Sequence, residues 1–244
     1  MTQALQRTSG PAAEPGARHL MIVCAILAAA ARFIPVPLLD DVVRERIRQI
    51  WVSRTLKSHG RSYSSKQVPA LWQDPSGCAG GCLALWWKLP LKLLLFPIRK
   101  LIAIFTALSG LSKDVTEMVL FGRCTQRVLE SGMLPEGGDQ VVLAADARRI
   151  RSAFDVAFKQ TDTSVLVATL RDVLQGVRGL SRAAVKGARA AFRAQAVAAH
   201  SDGGVVDQGA RDVQRALDSQ ALQSIFRDFD ARFDTALAAS TAQS

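Results

Sequence analysis

The chain has 244 residues, 49% of them apolar, enough to bury a sizeable core and to exclude a wholly disordered protein. Its formal net charge is +10 and its pI about 10.1, a balance whose natural complement is an anionic partner. The excess is uneven. Residues 1–134 hold 17 Lys and Arg against 8 Asp and Glu, while residues 135–244 hold 14 against 13, and the long apolar runs share the basic half.

Residues 1–19 carry Gly, Pro and Ser with almost no apolar periodicity and read as a disordered tail. Leu20 to Ala31 follows as twelve apolar residues. Three fates fit that run: insertion into a membrane, service as a secretory signal cleaved near Ala30, or burial as a core helix. The positive region before it is long and dilute, and apolar character resumes after Arg32 from Phe33 to Leu39, which argues against a signal. Pro35 and Pro37 interrupt any helix there, so entry into the membrane with a turn at the prolines is the leading expectation for 20–39. Asp40 and Asp41 then open a basic helix from Val42 to His59, with Ile47, Ile50, Trp51 and Leu56 on one side and Gly60 as its stop.

The element Pro35-Val36-Pro37-Leu38-Leu39-Asp40, set between an alanine-rich helix and a basic helix ending at His59-Gly60, resembles a segment of bacterial membrane-associated helical proteins of the EcsC-like and YcjF-like groups. The resemblance covers about residues 20–60. It implies a helical, membrane-associated protein and carries no catalytic residues.

Residues 60–81 are turn-rich and read as a loop closed by Cys78 and Cys82. Their Cys-x3-Cys spacing occurs at zinc sites, but a structural zinc needs four ligands, and His59, Cys124, Cys24 and His19 add none at a diagnostic spacing. Free thiols are the expectation.

Leu83 to Leu108 holds fourteen Leu, Ile and Phe residues, which together favour insertion by roughly 4–8 kcal/mol. Lys88, Lys92, Arg99 and Lys100 oppose it by about 10–14 kcal/mol if held at mid-bilayer. Spanning therefore loses. At a bilayer interface the same residues cooperate, because Lys88, Lys92 and Arg99 step by four and seven onto one helical face, and Trp86 and Trp87 suit the headgroup layer. The membrane-contacting set is Trp86, Trp87, Lys88, Lys92, Leu93, Leu95, Arg99, Lys100, Ile102 and Phe105. The alternative is a core helix whose lysines reach solvent. Pro90 and Pro97 should segment the run, Leu108-Ser109-Gly110 reads as a turn, and a further helix is expected from about Ser112 to Ser131.

Gly132 and Pro135 to Gly138 form the clearest linker, and four helical stretches follow. These are Asp139–Lys159, Thr163–Val177, Ser181–His200 and Val205–Ala239, the last being two segments or one bent helix with a stripe of Leu222, Phe226, Phe229, Phe233 and Leu237. Arg178, Arg182, Lys186, Arg189 and Arg193 step by four, four, three and four, with no acid between Asp172 and Asp202. Such a basic ridge can track phosphates on lipid or nucleic acid, although Phe192 alone supplies no platform for base stacking. It can equally be a solvated face, or one neutralised within the fold by the seven Asp of residues 201–244.

No nucleophile elbow, phosphate-binding Gly-Lys-Ser/Thr loop, dinucleotide fingerprint or His-Glu-x-x-His helix occurs. The sequence thus predicts an all-α protein: a tail over 1–19, a basic membrane-contacting helical region over 20–134, and a helical C-terminal domain over 135–244. It predicts no enzyme, cofactor, metal or small-molecule substrate. The expected partner is an anionic membrane surface on the cytoplasmic side of a bacterial inner membrane, with a protein partner for the C-terminal domain. The alternative is a soluble helical protein that binds nucleic acid through the ridge 178–193.

Overall fold

The computed structural model describes residues 15–34, 39–73, 96–194 and 204–241, and of residues 96–109 it describes the backbone. Among the described residues there are 8 α-helices and no strand, as the apolar periodicity predicts. They are α1 (Pro15–Ala30), α2 (Leu39–Ser58), α3 (Phe96–Glu130), α4 (Gln140–Gln160), α5 (Ser164–Gly176), α6 (Leu180–Ala194), α7 (Val205–Leu217) and α8 (Gln220–Thr241). Short 3-10 turns occupy Ala31–Phe33, Ser65–Gln67 and Pro69–Leu71.

Helix α1 is the axis of the molecule, packed against α2, α3, α6 and α7. Met21, Ile22 and Cys24 to Ala31 are all buried, and Leu20 and Val23 pack against the same core. A helix that is apolar all round must be enclosed by protein or by lipid. Here protein encloses it. Residues Gly16–Phe33 are long and apolar enough to cross a membrane by length and composition, yet their side chains meet four other helices. Of the three fates set out for this run, the structure describes burial in the core over Met21–Ala31. Removal of the chain up to Ala30, as a cleaved signal would require, would take out the axis.

The tail is also shorter than its composition suggests. Helix α1 begins at Pro15, because the fixed φ of proline suits a first helical residue and its missing N–H is not needed there. Arg18 and His19 are thus helical, bonded to Asp218 and Asp207.

Close packing around the axis relies on glycine. A Cβ at Gly122 of α3 would lie 2.1 Å from the Met21 sulfur, and one at Gly187 of α6 would lie 2.8 Å from a Leu27 methyl. A Cβ at Gly110 would lie 1.7 Å from the Arg32 guanidinium, which reaches across α3 to Asp114 at 3.1 Å. Gly110 is therefore a crossing point, not the turn expected at Leu108–Gly110, and α3 runs unbroken from Phe96 to Glu130. Pro97 is its second residue, in the first turn, where a proline costs no helical hydrogen bond.

The second half of the chain closes the same core. Phe121 of α3 stacks edge-on to Phe154 of α4 at 4.9 Å, and Phe154 meets Phe229 of α8 at 6.0 Å. One cluster of buried apolar side chains runs from Met21 to Phe233. Residues 20–134 and 135–244 share that core, so the linker at Pro135–Gly138 is a surface turn between packed helices and not a boundary between two independent cores. Asp139 caps α4 by accepting from the Val141 N–H at 2.9 Å. The final stretch, expected as two segments or one bent helix, is two helices, α7 and α8.

Truncating this axis should be costly. Ile22→Ala is expected to destabilise the protein by about 2–5 kcal/mol in a denaturant titration. Gly122→Val, which forces Met21 out of place, should cost about 1–3 kcal/mol. Values near zero for both would mean that α1 is not the centre of the fold.

Candidate functional site

Helix α6 divides its residues sharply. Leu180, Ala184, Ala188 and Ala191 are buried, the alanines and Gly187 letting the helix lie close on α1. At 100° per residue Arg182, Lys186 and Arg189 each sit about 200° from the alanine two residues on, so burial of the alanine face drives the cations outward. Arg178, Arg182, Lys186, Arg189 and Arg193 are all exposed. Residues 182–193 extend roughly 16 Å along the axis. Arg178 precedes them in the α5–α6 turn, where Gly179 adopts φ +77°, a left-handed value that favours glycine.

Neutralisation of this ridge by the C-terminal acids does not occur among the described residues. Asp207 pairs with His19, whose Nε2 lies 2.6 Å away, and with Arg211. Asp212 pairs with Arg215, Asp218 with Arg18 at 2.7 Å, and Asp228 with Arg232 at 3.0 Å. Asp230, buried, accepts hydrogen bonds from Arg123, whose Nε donates to Oδ1 at 2.9 Å and Oδ2 at 3.1 Å and whose Nη2 donates to Oδ2 at 2.7 Å. Arg127 spans Asp230 and Asp234. These acids are committed to α1, to α3 or to their own helices. None of the five ridge cations has an ion-pair or hydrogen-bond partner among the described residues.

A cleft of about 430 Å³ opens where the ridge begins. Residues of the α5–α6 junction, Leu174, Val177, Arg178, Leu180 and Ser181, line it together with Leu111 of α3, and the three leucines are themselves buried. Leu111 lies three residues beyond the apolar, cation-studded stretch 83–108. The ridge and the end of that stretch therefore meet at one place. Sequence reasoning found the ridge but missed Leu111 as its neighbour, and it missed His19, Arg18 and Arg123 as the partners that remove the C-terminal acids. Those pairings span 100 or more residues of sequence and leave no local signal.

Catalytic chemistry has little to work with here. Burial pushes the Cys24 thiol up to about 12, against the smaller downward pull of Arg54. Burial likewise raises Cys124 well above the ordinary thiol value, and Asp230 adds to it. Both thiols are thus protonated at neutral pH and shielded from solvent. Among the described residues no group of three or more His, Cys, Asp or Glu could hold a metal ion. Cys78 and Cys82 lie outside the described residues, as do Pro35 and Pro37 of the Pro-x-Pro element and Trp86, Trp87, Lys88, Lys92, Leu93 and Leu95 of the membrane-contacting set. The side chains of Arg99, Lys100, Ile102 and Phe105 lie outside them too.

What the fold and this surface define is an all-α protein with an exposed row of cations that have no partner among the described residues. No family model, curated protein or solved structure matches the chain.

Two measurements check this division of charge. Gln at Arg182, Lys186 and Arg189 together should leave unfolding free energy within about 0.5 kcal/mol per site of the unaltered chain, whereas Asp230→Ala should cost about 1.5–3 kcal/mol. A large loss from the ridge variant would reveal a structural partner. The second concerns Asp207. Burial works to raise its carboxyl, but hydrogen bonds and charge from His19 and Arg211 outweigh that and hold it below the usual carboxylate value. A depressed carboxyl contributes stability that is complete above about pH 4 and fades as pH falls through the lower folded value. Asp207→Asn should therefore flatten the acid limb of a stability–pH curve, and an unchanged limb would remove Asp207 from that role.

Proposed function

We propose that this protein is a non-enzymatic, membrane-associated helical scaffold or adaptor, held on the cytoplasmic side of a bacterial inner membrane. The observation that carries the proposal is the composition of residues 83–108. Fourteen Leu, Ile and Phe are interleaved with Lys88, Lys92, Arg99 and Lys100, a pattern too charged to span a bilayer and well suited to lie in its interface. With Met21–Ala31 already enclosed by protein, membrane contact falls to that stretch, whose C-terminal part is the backbone of α3. Helix α3 has 35 residues against 22 in the next longest described helix, so it is about 20 Å longer than any partner in the bundle. Bundle helices α4 to α8, the last of them tied to α3 by Arg123 and Arg127, would present a surface to a protein partner. The Pro35–Asp40 element, by its resemblance to the EcsC-like and YcjF-like groups, supports the same class.

Fractionation of cells tests this directly. The chain should sediment with membranes at low salt and start at Met1 or Thr2 on N-terminal sequencing. Recovery in the soluble fraction at low salt would sink the membrane reading, and a start near Ala31 would sink the cytoplasmic one.

A further inference from the structure

We infer that the ridge Arg178–Arg193 is a docking surface for anionic phospholipid headgroups, and that it sets the lipid preference of the membrane contact proposed above, on which it rests. Three observations converge. The five cations are exposed and have no partner among the described residues, although every described acid of α7 and α8 is paired elsewhere. Their spacing gives an unbroken cationic line, with no intervening acid from Arg178 to Arg193 to repel a phosphate. The line starts at a cleft whose lining joins Arg178 and Ser181 to Leu111 of α3, the helix that carries the C-terminal part of the stretch 83–108.

That position separates lipid from nucleic acid. A duplex phosphate backbone asks for cations and gains nothing from an apolar stretch near them, whereas an anionic headgroup lies over the acyl layer that such a stretch enters. Single-stranded nucleic acid asks for stacking faces, and Phe192, the aromatic residue on α6, packs against the core. Helix α3 runs back from Leu111 to Phe96, so the ridge begins beside the helix that carries the C-terminal part of the stretch 83–108. The two contacts then divide the work: the 83–108 stretch supplies apolar burial, and the ridge selects negative charge.

The test uses the full chain, vesicles of phosphatidylcholine alone or mixed with phosphatidylglycerol, and a duplex DNA fragment. The unaltered chain should bind mixed vesicles more tightly than neutral ones, with a preference that falls as salt rises. Arg182→Gln with Arg189→Gln should lower partitioning onto mixed vesicles about 30-fold, at about fivefold for each cation near an anionic surface, and leave neutral vesicles unaffected. Both side chains are exposed and unpaired, so circular dichroism and thermal midpoint serve as the control for folding. Equal binding of variant and unaltered chain to mixed vesicles overturns this inference and leaves the membrane proposal standing. Failure of the unaltered chain to bind either vesicle overturns both. Tight DNA binding that the double substitution abolishes, with vesicle binding unchanged, assigns the ridge to nucleic acid instead.

Discussion

The fold depends on enclosing one helix. Helix α1 has no polar side to give to water over Met21–Ala31, so four helices must surround it before the chain can be stable. Two of these, α2 and α3, come from the first half of the sequence, and two, α6 and α7, come from the second. The long-range order of the molecule follows from that need. So does its use of small residues: Gly122, Gly187 and the alanines of α1 and α6 let backbones approach to distances that larger side chains would block.

Charge is distributed around the same axis. Acids near the C-terminus are drawn to Arg18 and His19 at the start of α1 and to Arg123 and Arg127 on α3. These contacts fasten α7 and α8 to the N-terminal half. Having been used there, the acids are not available to α6, and its cations remain uncompensated. The C-terminal half is nearly neutral in sum, and the fold separates its charges so that cations without described partners line α6.

Much of this was legible in the sequence. Asp139 announced the start of α4, Gly60 the end of α2 through its φ of +72°, and the apolar stripe from Leu222 to Phe233 the buried side of α8. The ridge on α6 could be read from spacing alone. What could not be read was the surroundings of α1, since a segment apolar on every side looks the same whether protein or lipid encloses it. Gly110 misled for a related reason. A glycine after Leu108-Ser109 reads as a break, but the space left by its missing side chain is filled by Arg32, and that crossing is a tertiary fact. Acidic residues 201–244 looked like the ridge's counterions because both lay in one half of the sequence, while Asp212 and Asp228 pair within their own helices and Asp207, Asp218, Asp230 and Asp234 reach partners about a hundred residues or more away.

The position of α1 ahead of the helices that cover it has a consequence for biogenesis. His19 meets Asp207 across 188 residues, so the last walls of the core arrive long after the helix they cover has been made. At ribosomal rates of about 5–20 residues per second, that delay is roughly ten to forty seconds. Until α6 and α7 are made, α2 and α3 alone can cover an oily helix with the length of a targeting sequence. Whatever first shelters the nascent polypeptide, whether a holding factor or the translocation machinery, meets this segment before the protein itself can.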